Sequence, residues 1–331
     1  PMLPAGNVVA EPEARNTAAA LALASAFLEA RYQGEDVVTV VLTADHYIRD
    51  RDIFCADVRT AIGFAEAHPA LVTFGMVPDR PETGYGYIEL GEPVSEDSGF
   101  GNAVTAPHTD EEERAALAAG KGGAVAATSP SSAGLPGKDK IFRVASFREK
   151  PSPEVAAEFL ETGRFLWNSG MFVWRNSVLR SALREHLPAM EGRMNAMRAA
   201  FSAGDEQALT EAFAPVEKIS IDYGVLERAH NVAVVRAAFD WDDIGTWASL
   251  QRLLERDGDG NVVFGNGAAV KCEDSIIYSV GDDRRVVVGY GLKDMVVVST
   301  PDAVLVLPAD KVQGVKEVVA HLRARGLTSY L

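Results

Sequence analysis

The chain has 331 residues, of which 47% are hydrophobic and 24% are charged, which is ordinary for a globular protein with a sizeable core. The formal net charge of −15 disfavours a nucleic acid polymer as partner, because an acidic surface repels a polyphosphate backbone. No apolar run is long enough to span a bilayer and the N-terminus lacks a secretory pattern, so we expect a cytoplasmic protein without a membrane partner.

Helical and buried-strand patterns alternate through the first part of the chain. Ala- and Leu-rich residues predict a helix over 16–30, and an uninterrupted β-branched run predicts a buried strand over 37–42. A helix over 52–67 and a buried strand over 71–76 follow. This alternation predicts an α/β domain with a parallel sheet and crossover helices.

The pattern breaks over 91–140, where an acidic run and a Gly-, Ser- and Pro-containing stretch predict an irregular surface insertion. Regular elements then resume. The predicted strands cover 142–147, 170–174 and 231–239, and the predicted helical segments cover 153–161, 178–212 and 246–255.

From Asn261 onwards, short strand-like pieces follow one another at short intervals, with Gly, Asp or Asn in the turns. They cover 262–264, 268–271, 275–279, 285–289, 295–299 and 303–307. This spacing predicts a small β-solenoid or a sandwich, closed by an amphipathic helix over 311–325. The change of texture, together with the Asp-Gly-Asp-Gly run at 257–260, predicts two domains, 1–257 and 258–331.

Two carboxylates follow predicted strands, where ligands bind in open α/β sheets. Asp45 comes after the strand over 37–42, and Asp243 comes after the strand over 231–239. Together they could hold one Mg²⁺, with phosphates and water as the other ligands. Alternatively, each aspartate caps the turn or helix that follows it. Cys55, Cys272 and the six histidines do not cluster, which argues against a zinc site.

Glu149 and Lys150 end another predicted strand, and Pro151 follows them. Lys150 could meet a phosphate as a compact charge, and Glu149 could accept sugar hydroxyls. Pro151 biases Lys150 towards an extended conformation. The alternative is a solvated surface ion pair at a turn. Gly86 lies in a two-glycine segment that allows backbone to approach a ligand, or simply forms a tight turn.

The segment before the first predicted helix carries Glu11, Arg15, Asn16 and Thr17. Main-chain N–H groups at a helix N-terminus favour anions, and a carboxylate such as Glu11 could accept from the N1 and N2 donors of guanine. The alternative is a helix-capping turn with Arg15 exposed.

Seven motifs occur along the chain in the order found in one enzyme family. They are E-P-E-A-R-N-T-A (11–18), L-T-A-D-H (42–46), T-F-G-M-V-P-D-R-P-E-T-G-Y-G-Y-I (73–88), F-R-E-K-P (147–151), W-N-S-G-M-F-V-W (167–174), S-I-D-Y-G-V-L-E (220–227) and W-D-D-I-G-T-W (241–247). With these motifs the chain resembles the bacterial mannose-1-phosphate guanylyltransferases of the sugar nucleotidyltransferase superfamily. The resemblance covers nearly the whole chain except 91–140.

The resemblance implies a Rossmann-like α/β domain with a mixed, mainly parallel sheet, and a small C-terminal left-handed β-helix domain. It implies the Mg²⁺-dependent reaction of GTP with mannose 1-phosphate, which gives GDP-mannose and pyrophosphate. By the same resemblance, Asp45 and Asp243 would bind Mg²⁺ and Lys150 would bind the sugar phosphate. The other implied residues form a mannose group (Gly86, Glu149, Asn168, Asp222) and a nucleotide group (Glu11, Arg15, Asn16, Thr17).

Two features depart from the family pattern. A Gly-rich loop resembling G-G-x-G-x-R-L-x-P-L normally precedes the first motif, and here it is absent. We expect a truncated sequence, because every downstream motif is present. The alternatives are a catalytically inactive sugar-nucleotide-binding or regulatory protein, and a nucleotidyltransferase for another hexose 1-phosphate. The second departure is the 91–140 insertion. A homodimer formed through the β-helix is a further expectation.

Overall fold

A computed structural model describes residues 3–33, 35–94, 100, 140–245, 247–281 and 284–330. The chain divides into two compact units, one of Pro1–Ala44 with Arg49–Asp240 and one of Asp45–Ile48 with Trp241–Leu331. Most of the predicted 91–140 insertion lies outside the described residues. None of the described helices is both long enough and apolar enough to cross a bilayer.

Helices and strands are numbered here along the whole chain. The helices are α1 (Thr17–Tyr32), α2 (Arg51–Ala67), α3 (Pro153–Thr162), α4 (Asn176–His186), α5 (Ala189–Ala203), α6 (Glu206–Phe213), α7 (Trp247–Leu253) and α8 (Val315–Ala324). Strands of the first unit are β1 (Val38–Val41), β3 (Leu71–Met76), β4 (Gly86–Pro93), β5 (Ile141–Glu149), β6 (Phe165–Arg175) and β7 (Val232–Arg236). The second unit contains β2 (Tyr47–Ile48), β8 (Trp241–Asp242), β9 (Val262–Phe264), β10 (Gly267–Val270), β11 (Ile276–Ser279), β12 (Val287–Tyr290), β13 (Met295–Ser299) and β14 (Val304–Pro308).

The first unit is built on a six-stranded sheet in the order β1-β6-β3-β7-β5-β4, with β4 also paired to β6. The pairing of β3 with β7 is parallel, and the other five pairings are antiparallel. Four strands, β1, β3, β4 and β7, nevertheless run in one direction. Strand β6 is antiparallel to β1, β3 and β4, and β7 is parallel to β3. The mixed sheet is confirmed, whereas the expectation of mainly parallel strands holds for direction and not for hydrogen-bonded pairs.

Apolar residues on both sides of the sheet form the core of the first unit. Every residue of β3 is buried, as expected for a central strand with helices on its faces. Trp174 of β6 and Phe213 of α6 are fully buried in the same cluster as the alanines of α1. Small alanine side chains let α1 pack closely, and they favour the helix intrinsically.

The second unit contains a β-helix whose coils stack in parallel. Strands β9, β11 and β13 pair in parallel, with Ile276 between Val262 and Val296. On another side of the coil, β10 pairs in parallel with β12. Val262, Ile276, Val296 and Leu307 are buried inside. The solenoid alternative is therefore the correct one, and the six short strands lie within two residues of their predicted positions.

The boundary between the compact units differs from the predicted domain boundary at 257/258. It falls between Asp240 and Trp241, because Arg252 of α7 donates to Asp242 of β8 at 2.7 Å and α7 packs with the coils. The Trp247 ring of α7 lies 5.2 Å from the Tyr278 ring of β11, centroid to centroid. Gln251 of α7 donates to the Asp274 carbonyl at 2.9 Å.

Several elements of the first unit differ from their predicted extents. Strand β4 was not predicted, and its residues Gly91–Pro93 fall inside the range assigned to the insertion. Strand β6 begins at Phe165 instead of 170. The helical region over 178–212 consists of three helices, since Gly204 adopts a left-handed conformation that ends α5.

Candidate active site

An open pocket of about 600 Å³ lies in the first unit. Five residues predicted from the sequence line it: Asn16, Thr17, Glu149, Lys150 and Asp222. They come from the start of α1, the end of β5 and a π-helical turn, Asp222–Leu226. Residues from three distant parts of the chain are thus brought to one cavity.

The start of α1 forms one wall of the pocket. Asn16 has a φ of 71°, and its side chain accepts from the Thr17 amide at 2.8 Å. The Thr17 hydroxyl accepts from the Ile221 amide at 2.9 Å, and the Ala18 amide donates to the Ile219 carbonyl at 3.2 Å. These bonds fix the helix start against the segment that leads into the π-helical turn.

The end of β5 places a carboxylate and an ammonium at the pocket. Lys150 Nζ lies 3.0 Å from Glu149 Oε1, and the Glu149 side chain is 13% exposed whereas that of Lys150 is 62% exposed. Lys150 has a φ of 47°, so the predicted extended conformation before Pro151 was wrong. The chain turns sharply where β5 ends, and such a left-handed lysine is strained, which is common at functional sites.

Gly86 is the direct partner of Glu149 in the antiparallel β4–β5 pair. A Cβ on Gly86 would lie 2.6 Å from Glu149 Oε2, closer than any ordinary contact. A glycine is therefore required here if the carboxylate is to keep its position. Glu149 binds Lys150 with Oε1, and its Oε2 lies against the Gly86 backbone.

Asn168 and Asp222 form a hydrogen-bonded pair. Asn168 Nδ2 donates to Asp222 Oδ1 at 3.0 Å, and Asn168 Oδ1 accepts from the Thr73 hydroxyl at 3.1 Å. Asn168 also accepts from the Gly170 amide at 3.3 Å. Because these bonds orient the Asn168 amide, its NH₂ group is directed at the Asp222 carboxylate.

Two acids of the pocket, Asp222 and Glu227, have pKa values above their ordinary range. Burial, and next the nearby Glu149 carboxylate, raise the pKa of Asp222 to about 6. Burial and the neighbouring Glu149 and Asp222 also raise the pKa of Glu227. The hydrogen bond to Glu149 raises the pKa of Lys150, which therefore stays charged. A carboxyl with a pKa of about 6, such as that of Asp222, accepts from hydroxyl groups when ionised and can also donate to them when protonated, so this part of the pocket suits a sugar.

The other two residues of the predicted nucleotide group lie outside the set that lines this pocket. Glu11 is exposed. Arg15 binds the Glu13 carboxylate at 2.7 Å and donates to the Val216 carbonyl at 3.0 Å, so it is not the exposed arginine of the alternative interpretation. Their predicted contacts with a nucleotide stay predictions.

Asp45 and Asp243 both belong to the second unit. Asp45 precedes β2 and Asp243 follows β8, and these two strands form a short antiparallel ribbon in which Tyr47 lies opposite Asp242. His46 accepts a hydrogen bond from Trp241 Nε1 at 3.0 Å. Burial lowers the pKa of His46, while the charges of Asp45 and Asp243 oppose that shift. Both carboxylates therefore lie near the same imidazole.

This end of the ribbon has the chemistry of a site for a hard divalent cation. Asp45 is exposed, and Asp243 Oδ1 accepts from the Gly245 amide at 2.9 Å. Within the described part of the chain, no group of three or more His, Cys, Asp or Glu side chains could hold a metal. Two carboxylates suit Mg²⁺, which keeps several water or phosphate ligands. The donor set fits Mg²⁺ bound together with a phosphorylated substrate.

Sequence reasoning missed six residues that line the pocket: Lys218, Ile219, Ser220, Tyr223, Glu227 and Arg228. Four of them lie within the S-I-D-Y-G-V-L-E motif or directly precede it. Lys218 and Arg228 lie outside the motif, on either side of it. The sequence signal that could have identified Lys218 and Arg228 is their position as charged residues on either side of the 220–227 motif.

Comparison with known proteins agrees with this architecture. A family model described as "Nucleotidyl transferase" matches residues 5–99 and 94–259. A second, described as "MannoseP isomerase/GMP-like beta-helix domain", matches residues 265–322.

Similar proteins of known description cover nearly all of the chain. A mannose-1-phosphate guanylyltransferase of Escherichia coli (strain K12) is 37% identical over 97% of this chain, and the xanthan biosynthesis protein XanB of Xanthomonas campestris is 35% identical over 96%. The chain spans 58% of the length of each of these two relatives.

A crystal structure described as mannose-1-phosphate geranyltransferase from Thermus thermophilus superposes with a TM-score of 0.71 at 33% identity. The match covers 95% of this chain and 77% of that one.

Proposed function

Because the chain belongs to the nucleotidyl transferase family, we propose that it transfers GMP from GTP to mannose 1-phosphate. The products are GDP-mannose and pyrophosphate, and the reaction depends on Mg²⁺. The observation that carries the proposal is the pocket in which Glu149, Lys150 and Asp222 meet, with Asn168 and Gly86 beside them. The description of the relatives as mannose-1-phosphate guanylyltransferases supports the choice of substrates.

In the proposed reaction, a phosphate oxygen of mannose 1-phosphate attacks the α-phosphorus of GTP. One phosphorus–oxygen bond forms, and the bond to pyrophosphate breaks. Both reactants are anions, so the protein must neutralise charge and align them. No covalent enzyme intermediate is needed.

Lys150 is the residue proposed to neutralise the sugar phosphate. Its ammonium is charged and largely exposed, and Glu149 holds it at 3.0 Å. A lysine acts on phosphate as a point charge, so it can follow the phosphate without a fixed geometry. Glu149 thereby orients Lys150 while its second oxygen remains near Gly86.

Sugar hydroxyls are proposed to bind Glu149, Asn168 and Asp222. The Asn168–Asp222 pair is oriented by Thr73, so its free lone pairs have a fixed direction. A site built to hydrogen-bond particular hydroxyls discriminates against sugars that lack them, because buried polar groups would stay unpaired. The pocket thus supports selection of one hexose.

Asp45 and Asp243 are the residues proposed to hold Mg²⁺. When bound, the ion would withdraw negative charge from phosphate oxygens. Asn16 and Thr17 are proposed to face the nucleotide with their side chains, and Glu11 is proposed to read guanine. We place the reaction in the cytoplasm, where GTP is available.

Pyrophosphate release from the full-length protein tests the proposal. We expect release that requires GTP, mannose 1-phosphate and Mg²⁺ together, with GDP-mannose formed in equal amount. Calorimetric binding of GDP-mannose without any release would instead identify an inactive sugar-nucleotide-binding protein. A higher kcat/KM with another hexose 1-phosphate, or with ATP, would reassign the substrates.

A further inference from the structure

The pocket of the first unit contains a cationic side chain that the proposed function leaves without a role. Lys218 and Arg228 line the pocket together with Lys150. Lys150 is held by Glu149, and Arg228 acts electrostatically on Glu227. Among the residues that the structure describes, Lys218 has no carboxylate partner.

The backbone on both sides of Lys218 is fixed. Arg15 donates to the Val216 carbonyl at 3.0 Å, and Val216 is 2% exposed. On the other side, the Ile219 carbonyl accepts from Ala18 at 3.2 Å, and the Ile221 amide donates to Thr17 at 2.9 Å. Lys218 itself is exposed. An exposed side chain is thus placed at the pocket by a segment whose backbone is hydrogen-bonded on both sides.

The distribution of charge determines where an anion can bind in this pocket. Burial and next the Glu149 carboxylate raise the pKa of Asp222, and burial with Glu149 and Asp222 raises the pKa of Glu227, so negative charge is already unfavourable in this part of the pocket. A phosphate placed among these three acids would add further repulsion. The phosphate of a bound sugar phosphate must therefore face the lysines, while the sugar hydroxyls face the acids.

We propose that Lys218 binds the phosphate of the sugar phosphate directly, as a second cation beside Lys150. The inference rests on the proposed function, since it names a further residue of that same substrate site. Lys150 is engaged by Glu149 at 3.0 Å, so it cannot offer all of its charge to the substrate. Lys218, without a partner among the described residues, supplies the charge that completes neutralisation of the phosphate dianion.

The test uses the full-length protein with Lys218→Met, which removes the charge and keeps most of the apolar stem. We expect KM for mannose 1-phosphate to rise about tenfold or more, since one charge-assisted hydrogen bond is lost. KM for GTP should change less than about twofold. Lys218→Arg should restore most of the affinity, because it restores the charge.

Lys316→Met is the matched control, since Lys316 is an exposed lysine of α8 in the second unit. We expect it to leave both KM values unchanged. An unchanged KM for mannose 1-phosphate in Lys218→Met would overturn the inference, as would an equal rise of the KM for GTP.

Calorimetric titration with mannose 1-phosphate separates this inference from the proposed function. If the wild-type protein binds the sugar phosphate but releases no pyrophosphate, the proposed reaction fails. Weaker binding by Lys218→Met would then still support the role of Lys218. If the wild-type protein does not bind mannose 1-phosphate, both are rejected.

Discussion

The two regions that carry the predicted acids place the same kind of side chain in opposite environments. In the pocket of the first unit, Asp222 is hydrogen-bonded to Asn168, and its pKa is raised to about 6. At the end of the β2–β8 ribbon in the second unit, Asp45 is exposed to water. An acid that resists ionisation suits neutral hydroxyl groups, whereas a solvated carboxylate suits a cation. The environment, more than the residue type, separates the two roles that we propose for these acids.

The largest expected effect tests the cation-binding side of this comparison. Asp45→Asn replaces the carboxylate by a neutral amide of similar shape, and we expect kcat/KM to fall about a hundredfold or more. The Mg²⁺ concentration needed for half-maximal pyrophosphate release should rise. Thermal unfolding should be unchanged, because Asp45 is exposed.

The matched control for this substitution is Asp310→Asn. Asp310 Oδ2 lies 3.6 Å from Lys311 Nζ, and the Asp310 side chain is 73% exposed, in the same unit. Full activity of Asp45→Asn with an unchanged Mg²⁺ dependence would remove Asp45 from the metal site.

The next effect tests Asp222 in the pocket of the first unit, through the pH dependence of the protein's stability. The pKa of Asp222 rises from 3.8 to about 6 on folding, so its stabilising contribution is complete below about pH 4. That contribution is lost as the pH rises through 6, by about 3 kcal/mol at most. The free energy of unfolding of Asp222→Asn should therefore increase relative to wild type between about pH 4 and 7.

Urea unfolding at about pH 4, 5, 6 and 7 measures this difference. Asp302→Asn is the control, since Asp302 is exposed in the second unit. If the free energies of unfolding of wild type and Asp222→Asn changed in parallel with pH, the raised pKa of Asp222 would be contradicted.

A smaller effect tests whether the position of the Glu149 carboxylate requires a glycine at position 86. Gly86→Ala places a Cβ 2.6 Å from Glu149 Oε2 and displaces the carboxylate. We expect KM for mannose 1-phosphate to rise about tenfold, with a loss of about 1–3 kcal/mol of stability. The KM for GTP should change much less.

Gly192→Ala is a suitable control, because a Cβ there meets no atom within 4 Å. Gly192 lies in α5, so alanine should stabilise the protein by up to about 1 kcal/mol. An unchanged KM for mannose 1-phosphate in Gly86→Ala would argue that Glu149 does not touch the sugar.

The smallest effect concerns an exposed acid of the first unit. If Glu11 reads guanine, Glu11→Gln should lower the preference for GTP over ATP, measured as a ratio of kcat/KM, by about fivefold. The effect is small because an exposed hydrogen bond competes with water. Glu35→Gln, also at an exposed position, is the control. An equal ratio in Glu11→Gln and wild type would discard this role.

Local sequence determined most elements of both units, though not β4 or the short strands β2 and β8, and it determined the residue types at the strand ends. Continuous apolar runs are sufficient to predict β3, because a strand buried on both faces has few polar positions. Short strands separated by Gly, Asp and Asn predicted the coils, since turn residues mark each corner. The order of motifs predicted the family and five of the eleven residues that line the pocket.

Only the tertiary structure decided how these residues are paired and charged. It inserted β6 antiparallel between β1 and β3, gave Lys150 a left-handed conformation, and brought Lys218 to the pocket. It also raised the pKa of Asp222. Strand order, burial and electrostatic interaction depend on contacts between residues far apart in the chain. Local propensity and spacing carry no information about those contacts. The sequence therefore identified the acidic residues, whereas the tertiary structure determined their burial and pKa.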